Sequence, residues 1–322
     1  MIRRKNLPEW LRSFIYDEMG GSYVPDRNAF QNNLSSDEEK NRKYLGTYFP
    51  RSFTESYCIF ANLFDNTAYV EAMKIKDSVS ILSFGCGTGG DLMGLLEAIS
   101  EKMPWVENVD ITAYDGNFNA VVMLKSIVEQ PNNKQRFKRL KVDYAPVPMT
   151  KPDDFPLFCG VIKKSYDFVV SLKMVNELYR NNIIANKPYA AFLGELASKL
   201  TETGVMLLLD VPLKEKGNWL ATLMSRGLRE FLKSNDGYDA IVPLPCYMLG
   251  RKCNERCYLS WTFYGDIFAS EPVTYCMLAR KELAHSVCKG LSKGDYVIND
   301  SNECCKKVRG TKTIDAFNLR KN

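Results

Sequence analysis

Hydrophobic and polar positions along the chain follow two different periods, and they alternate between them from about residue 78 to residue 212. Short, mainly apolar runs, Ile81-Leu82-Ser83-Phe84, Val109 to Asp115, Tyr166 to Leu172 and Val205 to Asp210, have the length and continuity of buried strands. Between them lie stretches with helical spacing: Leu92, Met93, Leu95, Leu96 and Ile99, then Ala120 to Val128, then Pro188 to Leu200. Strands that alternate with helices in this way predict a parallel sheet with helices on both faces. Ahead of it, Trp10, Leu11, Phe14 and Ile15 form the apolar face of a short helix. The aromatic segment Tyr44 to Phe53 is interrupted by Pro50 and leads into a helix expected over Thr54 to Phe64, with Ser52 or Thr54 as its cap.

The first strand runs directly into Gly85-Cys86-Gly87-Thr88-Gly89-Gly90-Asp91 and then into a helix. Glycine at alternating positions frees the backbone for conformations closed to other residues and lets a ligand approach the main chain. The N–H groups that open the following helix have no partner within it and face such a ligand. The second strand ends in Asp115, the position from which a carboxylate grips the two hydroxyls of a ribose. A third short strand, Leu140 to Asp143, also ends in an acid. The fourth strand continues into Ser171-Leu172-Lys173-Met174-Val175-Asn176-Glu177, and ligands of open α/β sheets sit beyond such carboxyl ends, so this segment is expected beside the glycine turn.

Composition narrows the chemistry. The chain has 322 residues and a formal charge of +5, which permits a nucleic-acid partner without requiring one; the basic loop Lys134 to Arg139 is its densest positive stretch. No run approaches the ~20 apolar residues of a membrane span, and the basic start is followed by polar residues instead of a signal-peptide core, so no membrane association and a soluble, intracellular protein are expected. A single histidine, His285, removes most Ser-His-Asp and multi-histidine metal schemes. Ten cysteines are unevenly spread, and Cys246, Cys253, Cys257, Cys276, Cys288, Cys304 and Cys305 crowd the C-terminal quarter. Three thiols within Cys246 to Cys257 suit zinc or an iron-sulfur cluster, with ordinary reduced cysteines as the alternative.

The glycine turn, the acid after the second strand and the alternation of strands and helices resemble the class I methyltransferases that use S-adenosylmethionine. The resemblance covers roughly residues 75–212 and implies a Rossmann-like α/β sheet; the expected division is an N-terminal helical region over 1–74, a cofactor-binding domain over 75–235 and a cysteine-rich, metal-binding extension over 236–322. It assigns Gly85, Gly87 and Gly89 to the methionine portion, Asp115 to the ribose and Asp143 to the neighbourhood of the adenine, with Ser171 at the fourth strand's edge. Position 83, two before the first glycine, is usually acidic in that superfamily and is serine here.

With the flanks included, the chain is similar to the ribosomal small-subunit methyltransferase-like family, whose Asn-Glu-Leu after the fourth strand corresponds to Asn176-Glu177-Leu178 and whose Pro-Cys element corresponds to Pro245-Cys246. That similarity implies S-adenosylmethionine and a 4Fe-4S cluster, with zinc as the alternative. The cluster's ligands would be Cys246, Cys253, Cys257 and Cys305, with Cys304, Cys276 and Cys288 as alternative fourth ligands. Asn176 and Glu177 would then hold the acceptor amine, the partner would be RNA of the small ribosomal subunit, and the protein would act as a monomer in the cytoplasm, or in mitochondria if the source is eukaryotic. Two other readings stay open: a non-catalytic assembly factor that binds cofactor and RNA, and a small-molecule or protein methyltransferase with a zinc-stabilised lid.

Overall fold

The structure is a computed structural model that describes residues 2–25, 37–241, 260–268, 271–289, 298–299 and 313–314. It divides into two compact units, one made of Met1–Asp65, Lys74–Pro148 and Thr262–Glu271, the other of Asn66–Met73, Met149–Trp261 and Pro272–Asn322. Together they have the mixed α/β, mostly parallel, Rossmann-like fold expected from the alternating periods.

In the first unit, β1 (Ser78–Phe84), β2 (Asn108–Asp115) and β3 (Arg139–Pro146) lie in the order β3-β2-β1 and are parallel throughout. Ile81 and Leu82 of β1 are wholly buried, as a continuous apolar run requires when both faces of a strand are covered. The longer helices of this unit are α1 (Glu38–Phe64), α2 (Gly90–Lys102) and α3 (Phe118–Val128).

Helix α1 differs from the expectation, because it starts sixteen residues before Thr54 and passes straight through Pro50. Its cap is Asp37, whose side chain accepts from Lys40 N at 3.2 Å. A proline inside a helix leaves the carbonyl four residues earlier without its N–H partner. Here that carbonyl belongs to Gly46, and the Tyr16 hydroxyl donates to it at 2.6 Å. A side chain thirty residues away therefore completes the interrupted ladder, and Tyr16 holds its proton strongly because burial raises its pKa.

Helix α1 also lies unusually close to α2. A Cβ at Gly90 would fall within van der Waals contact of the Phe49 carbonyl oxygen, and one at Gly94, a turn later, would meet the Phe53 carbonyl oxygen. The two glycines thus let the α1 backbone rest against α2. The N-terminal helical region is packed directly on the helix that follows the glycine turn.

In the second unit, β4 (Tyr166–Leu172) and β5 (Leu200–Asp210) are parallel, with Phe168 opposite Val205 and Leu172 opposite Leu209. Two further strands, β6 (Tyr238–Ala240) and β7 (Glu271–Arg280), complete the order β4-β5-β7-β6. Strand β7 is antiparallel to both neighbours, pairing Cys276 with Leu208 and Leu278 with Ala240. The region read as a cysteine-rich extension therefore contributes a ten-residue sheet strand. Helices α4 (Val175–Arg180), α5 (Pro188–Leu196) and α6 (Leu220–Ser234) accompany these strands. Among the described residues, no helix is long and apolar enough to cross a membrane.

Candidate functional site

The glycine turn adopts the conformation its residues permit. Gly85, Gly87 and Gly89 all have positive φ, at 76°, 50° and 88°, a region in which a side chain is strained. Gly85 N and Cys86 N both donate to Tyr114 O, at 2.8 and 3.0 Å, so the turn hangs from the end of β2. Asp115, the next residue, secures it further: its Oδ2 accepts from Gly87 N at 2.7 Å and its Oδ1 from Asn117 N at 2.8 Å. Burial raises the Asp115 pKa, and the N–H groups of Asn117, Gly87 and Gly116 pull it back down.

As a residue Asp115 is half-buried, and each of its carboxylate oxygens carries one of these hydrogen bonds. A carboxylate offers roughly four acceptor positions, and the N–H groups of Asn117, Gly87 and Gly116 draw on them. What is left suits a ligand hydroxyl beside a main chain left bare by glycine. The turn is also roofed. The Tyr44 hydroxyl lies 2.9 Å from where a Gly87 Cβ would stand, and the Tyr44 ring sits 5.1 Å from that of Tyr48. Asn117 caps α3 by accepting from Ala120 N at 3.2 Å and ties it to α1 by donating to Asn41 Oδ1 at 2.9 Å.

Ser83 lies wholly buried below the turn, and its hydroxyl donates to Asp91 Oδ2 at 2.8 Å. Asp91 sits in the first turn of α2 and is itself buried. Burial pushes its pKa up to about 7, against the opposing pull of the Ser83 hydroxyl and the Leu92 N–H. Cys86, within the turn, is a buried thiol whose pKa burial raises well above its ordinary value, so it is a neutral packing group and no nucleophile.

The strand that carries Asp143 is longer than expected. Strand β3 does not stop at Asp143 but runs on to Pro146, and the residue level with Asp115 is Pro146. Asp143 pairs in register with Thr112, its side chain is exposed, and its Oδ2 meets Lys141 Nζ at 3.1 Å on the same face of the strand. Three residues span about 10 Å of strand, and that distance separates Asp143 from the level of Asp115. In the basic loop, Arg136 pairs with Glu97, Lys138 with Glu107 and Arg139 with Asp110.

In the second unit, Ser171 is buried in β4 with its Oγ unpaired, opposite Leu208. Lys173, just past the strand, holds a left-handed φ of 62°, a strained conformation for a side chain that marks a sharply directed turn. Helix α4 then carries Asn176 and Glu177. Asn176 N donates to Asp210 Oδ2 at 3.1 Å, and its buried side-chain Oδ1 has no hydrogen-bond partner. Asp210, at the end of β5, also accepts from the Tyr189 hydroxyl at 2.8 Å, and burial raises its pKa to about 7.

Asp91, Asp210 and the Tyr44 roof were not singled out by sequence reasoning. An acid in the first turn of a helix reads as ordinary compensation of the helix dipole, and nothing in linear spacing links Asp91 to Ser83. The metal expectation falls mostly outside the described residues: Cys246, Cys253, Cys257, Cys304 and Cys305 all do, and so does the side chain of Cys288. Cys276 is described, and it is a core thiol in β7 with its pKa pushed up to about 12 by burial. Among the described residues, no group of three or more Cys, His, Asp or Glu side chains is placed to hold a metal ion.

No protein-family model matches the chain, and no curated protein matches it. Among solved structures it is similar to the plantazolicin methyltransferase BpumL in complex with SAH, at 13% identity, with 84% of this chain and 99% of that chain covered and a TM-score of 0.45. It is similar to the SAH-bound Podospora anserina methyltransferase PaMTH1 at 9% identity, with coverage of 86% and 90% and a TM-score of 0.38. NSun6 from Pyrococcus horikoshii with SFG aligns at 12% identity over 70% of this chain and 51% of that one, with a TM-score of 0.41. At such identities and scores these likenesses assign no activity, and the Rossmann-like fold stands on the strand order of the chain itself.

Proposed function

We propose that this protein is an S-adenosylmethionine-dependent methyltransferase whose donor site is the glycine turn. One observation carries the reading: the carboxylate of the half-buried Asp115 clamps Gly87 N at 2.7 Å while keeping acceptor capacity toward a ligand, beside three glycines in left-handed conformations. Bound there, the cofactor would supply an activated methyl group. The chain's own part is to hold the ribose at Asp115, to admit the methionine portion over Gly85, Gly87 and Gly89, and to exclude water with Tyr44. Positioning of this kind provides much of the acceleration of a displacement that needs no acid or base on the donor.

The acceptor in this reading is an exocyclic amine of an RNA base, from the small ribosomal subunit. The unpaired Asn176 Oδ1 supports it, since an amide oxygen accepts a hydrogen bond from such an amine. Cys246, Cys253, Cys257 and Cys305 would hold a 4Fe-4S cluster, or zinc, in the same reading; three thiols within twelve residues support it, and the iron and zinc content of purified protein decides between the two.

Asp115→Ala is expected to weaken S-adenosylmethionine binding by roughly 10- to 100-fold in calorimetry, the value of hydrogen bonds to a charged group. Unchanged affinity would remove the donor site from the glycine turn. Incubation of wild-type protein with a methyl-labelled donor and small ribosomal subunits is expected to label the RNA. Binding of both without transfer would identify a non-catalytic assembly factor instead.

A further inference from the structure

We propose that Asp91, held by Ser83, provides the negative charge that orients the ammonium end of the bound ligand, a role the strand position 83 itself no longer fills. The inference rests on the donor-site reading above and deepens it. Four observations lead to it. Ser83 and Asp91 are both enclosed, at 0% and 3% exposure, and joined by a 2.8 Å hydrogen bond. Asp91 Oδ1 is a buried oxygen without a hydrogen-bond partner. The charge of Asp115, which acts on Asp91, has the same sign, and among the described residues no cation pairs with Asp91. Asp91 also stands two residues after Gly89, on the helix that the turn opens into.

A buried carboxylate with an open acceptor and no cation is costly to keep. It is justified where a ligand brings the cation. The serine hydroxyl does what a short linker would do: it fixes one carboxylate oxygen at the end of β1 and leaves the other uncommitted. In effect the acid has moved from the strand to the helix, and the strand keeps a hydroxyl to aim it. A purely structural role at the helix N-terminus is the competing explanation, and it makes a different prediction, because it is indifferent to the ligand's amino-acid end.

The test is calorimetry of the full chain with S-adenosylhomocysteine, which carries the amino-acid end, and with 5′-methylthioadenosine, which has the nucleoside and thioether without it. Asp91→Asn is expected to weaken S-adenosylhomocysteine by roughly 10- to 100-fold and to leave 5′-methylthioadenosine unchanged. The swap variant Ser83→Asp with Asp91→Ser is expected to recover most of the lost affinity, since it returns the acid to the strand. Equal losses on both ligands, or no loss on either, overturn the inference while the donor site stands. A wild-type chain that binds neither ligand overturns both, and a swap variant that folds but stays as weak as Asp91→Asn also counts against it.

Discussion

Asp91→Asn is expected to make the protein more stable above pH 7 while leaving its stability near pH 4 nearly as it was. The Asp91 carboxyl has an ordinary value of 3.8 and is raised to about 7 by burial in the folded chain. Between those two values the folded state binds more protons at this site than the unfolded state does, so stability falls as pH rises through the window and levels off above the folded value. Raising the carboxyl from 3.8 to about 7 corresponds to roughly 4 kcal/mol, which the wild-type chain gives up on ionising Asp91 and the neutral amide does not. Asp210 is raised to about 7 by the same cause, so the variant keeps the part of the slope that belongs to Asp210. Urea unfolding at pH 5 and pH 8 measures the difference. An unchanged slope in Asp91→Asn would mean that Asp91 is ionised at little cost, and the argument for a missing cation would fail with it. The expected pairing of gained stability with lost ligand affinity is the trade-off typical of a charge retained for binding.

Gly90→Ala has the second large effect, and its sign is decided by packing. Alanine is favoured over glycine in a helix by up to about 1 kcal/mol, and Gly90, the first residue of α2, has no positive φ to protect. A Cβ there would however run into the Phe49 carbonyl oxygen and Cα of helix α1, which are backbone atoms and cannot rotate away. Separating the two helices is expected to cost about 1–3 kcal/mol or more, so the variant should melt at lower temperature and weaken ligand binding as the Tyr44 roof lifts with α1. Gly194→Ala is the matched control, since Gly194 lies in α5 with nothing within 4 Å of its added Cβ. It should be neutral or slightly stabilising by thermal melting. Equal behaviour of the two variants would show that the close approach of α1 and α2 is not required.

Much of the fold was legible because buried parallel strands and amphipathic helices leave their periods in the sequence. Strand β4 was read over the same residues that it occupies, Tyr166–Leu172, and β2 to within one residue. The failures have particular causes. Pro50 reads as a break because local chemistry forbids a donor there, yet the Tyr16 hydroxyl supplies one from thirty residues away. Asp143 reads as a strand end because the apolar run before it is short; pairing with β2 carries the strand on to Pro146 and leaves the acid mid-strand with Lys141. The strand β7, far along the chain, enters between β5 and β6 through long-range pairing that no local period announces.

The sequence by itself determined the alternation of strands and helices, the glycine turn and the acid at the end of β2, because each of these depends on residues close together in the chain. Ser83 stood out as a departure only against the family pattern that the glycine turn resembles. Only the tertiary structure decided what that departure means: Asp91, eight residues later, comes within 2.8 Å of the serine and is buried there with an oxygen to spare. The reason is physical, since a strand and the helix that follows it double back around the glycine turn. Proximity across that turn, and the desolvation that raises the carboxyl to about 7, belong to the folded chain alone.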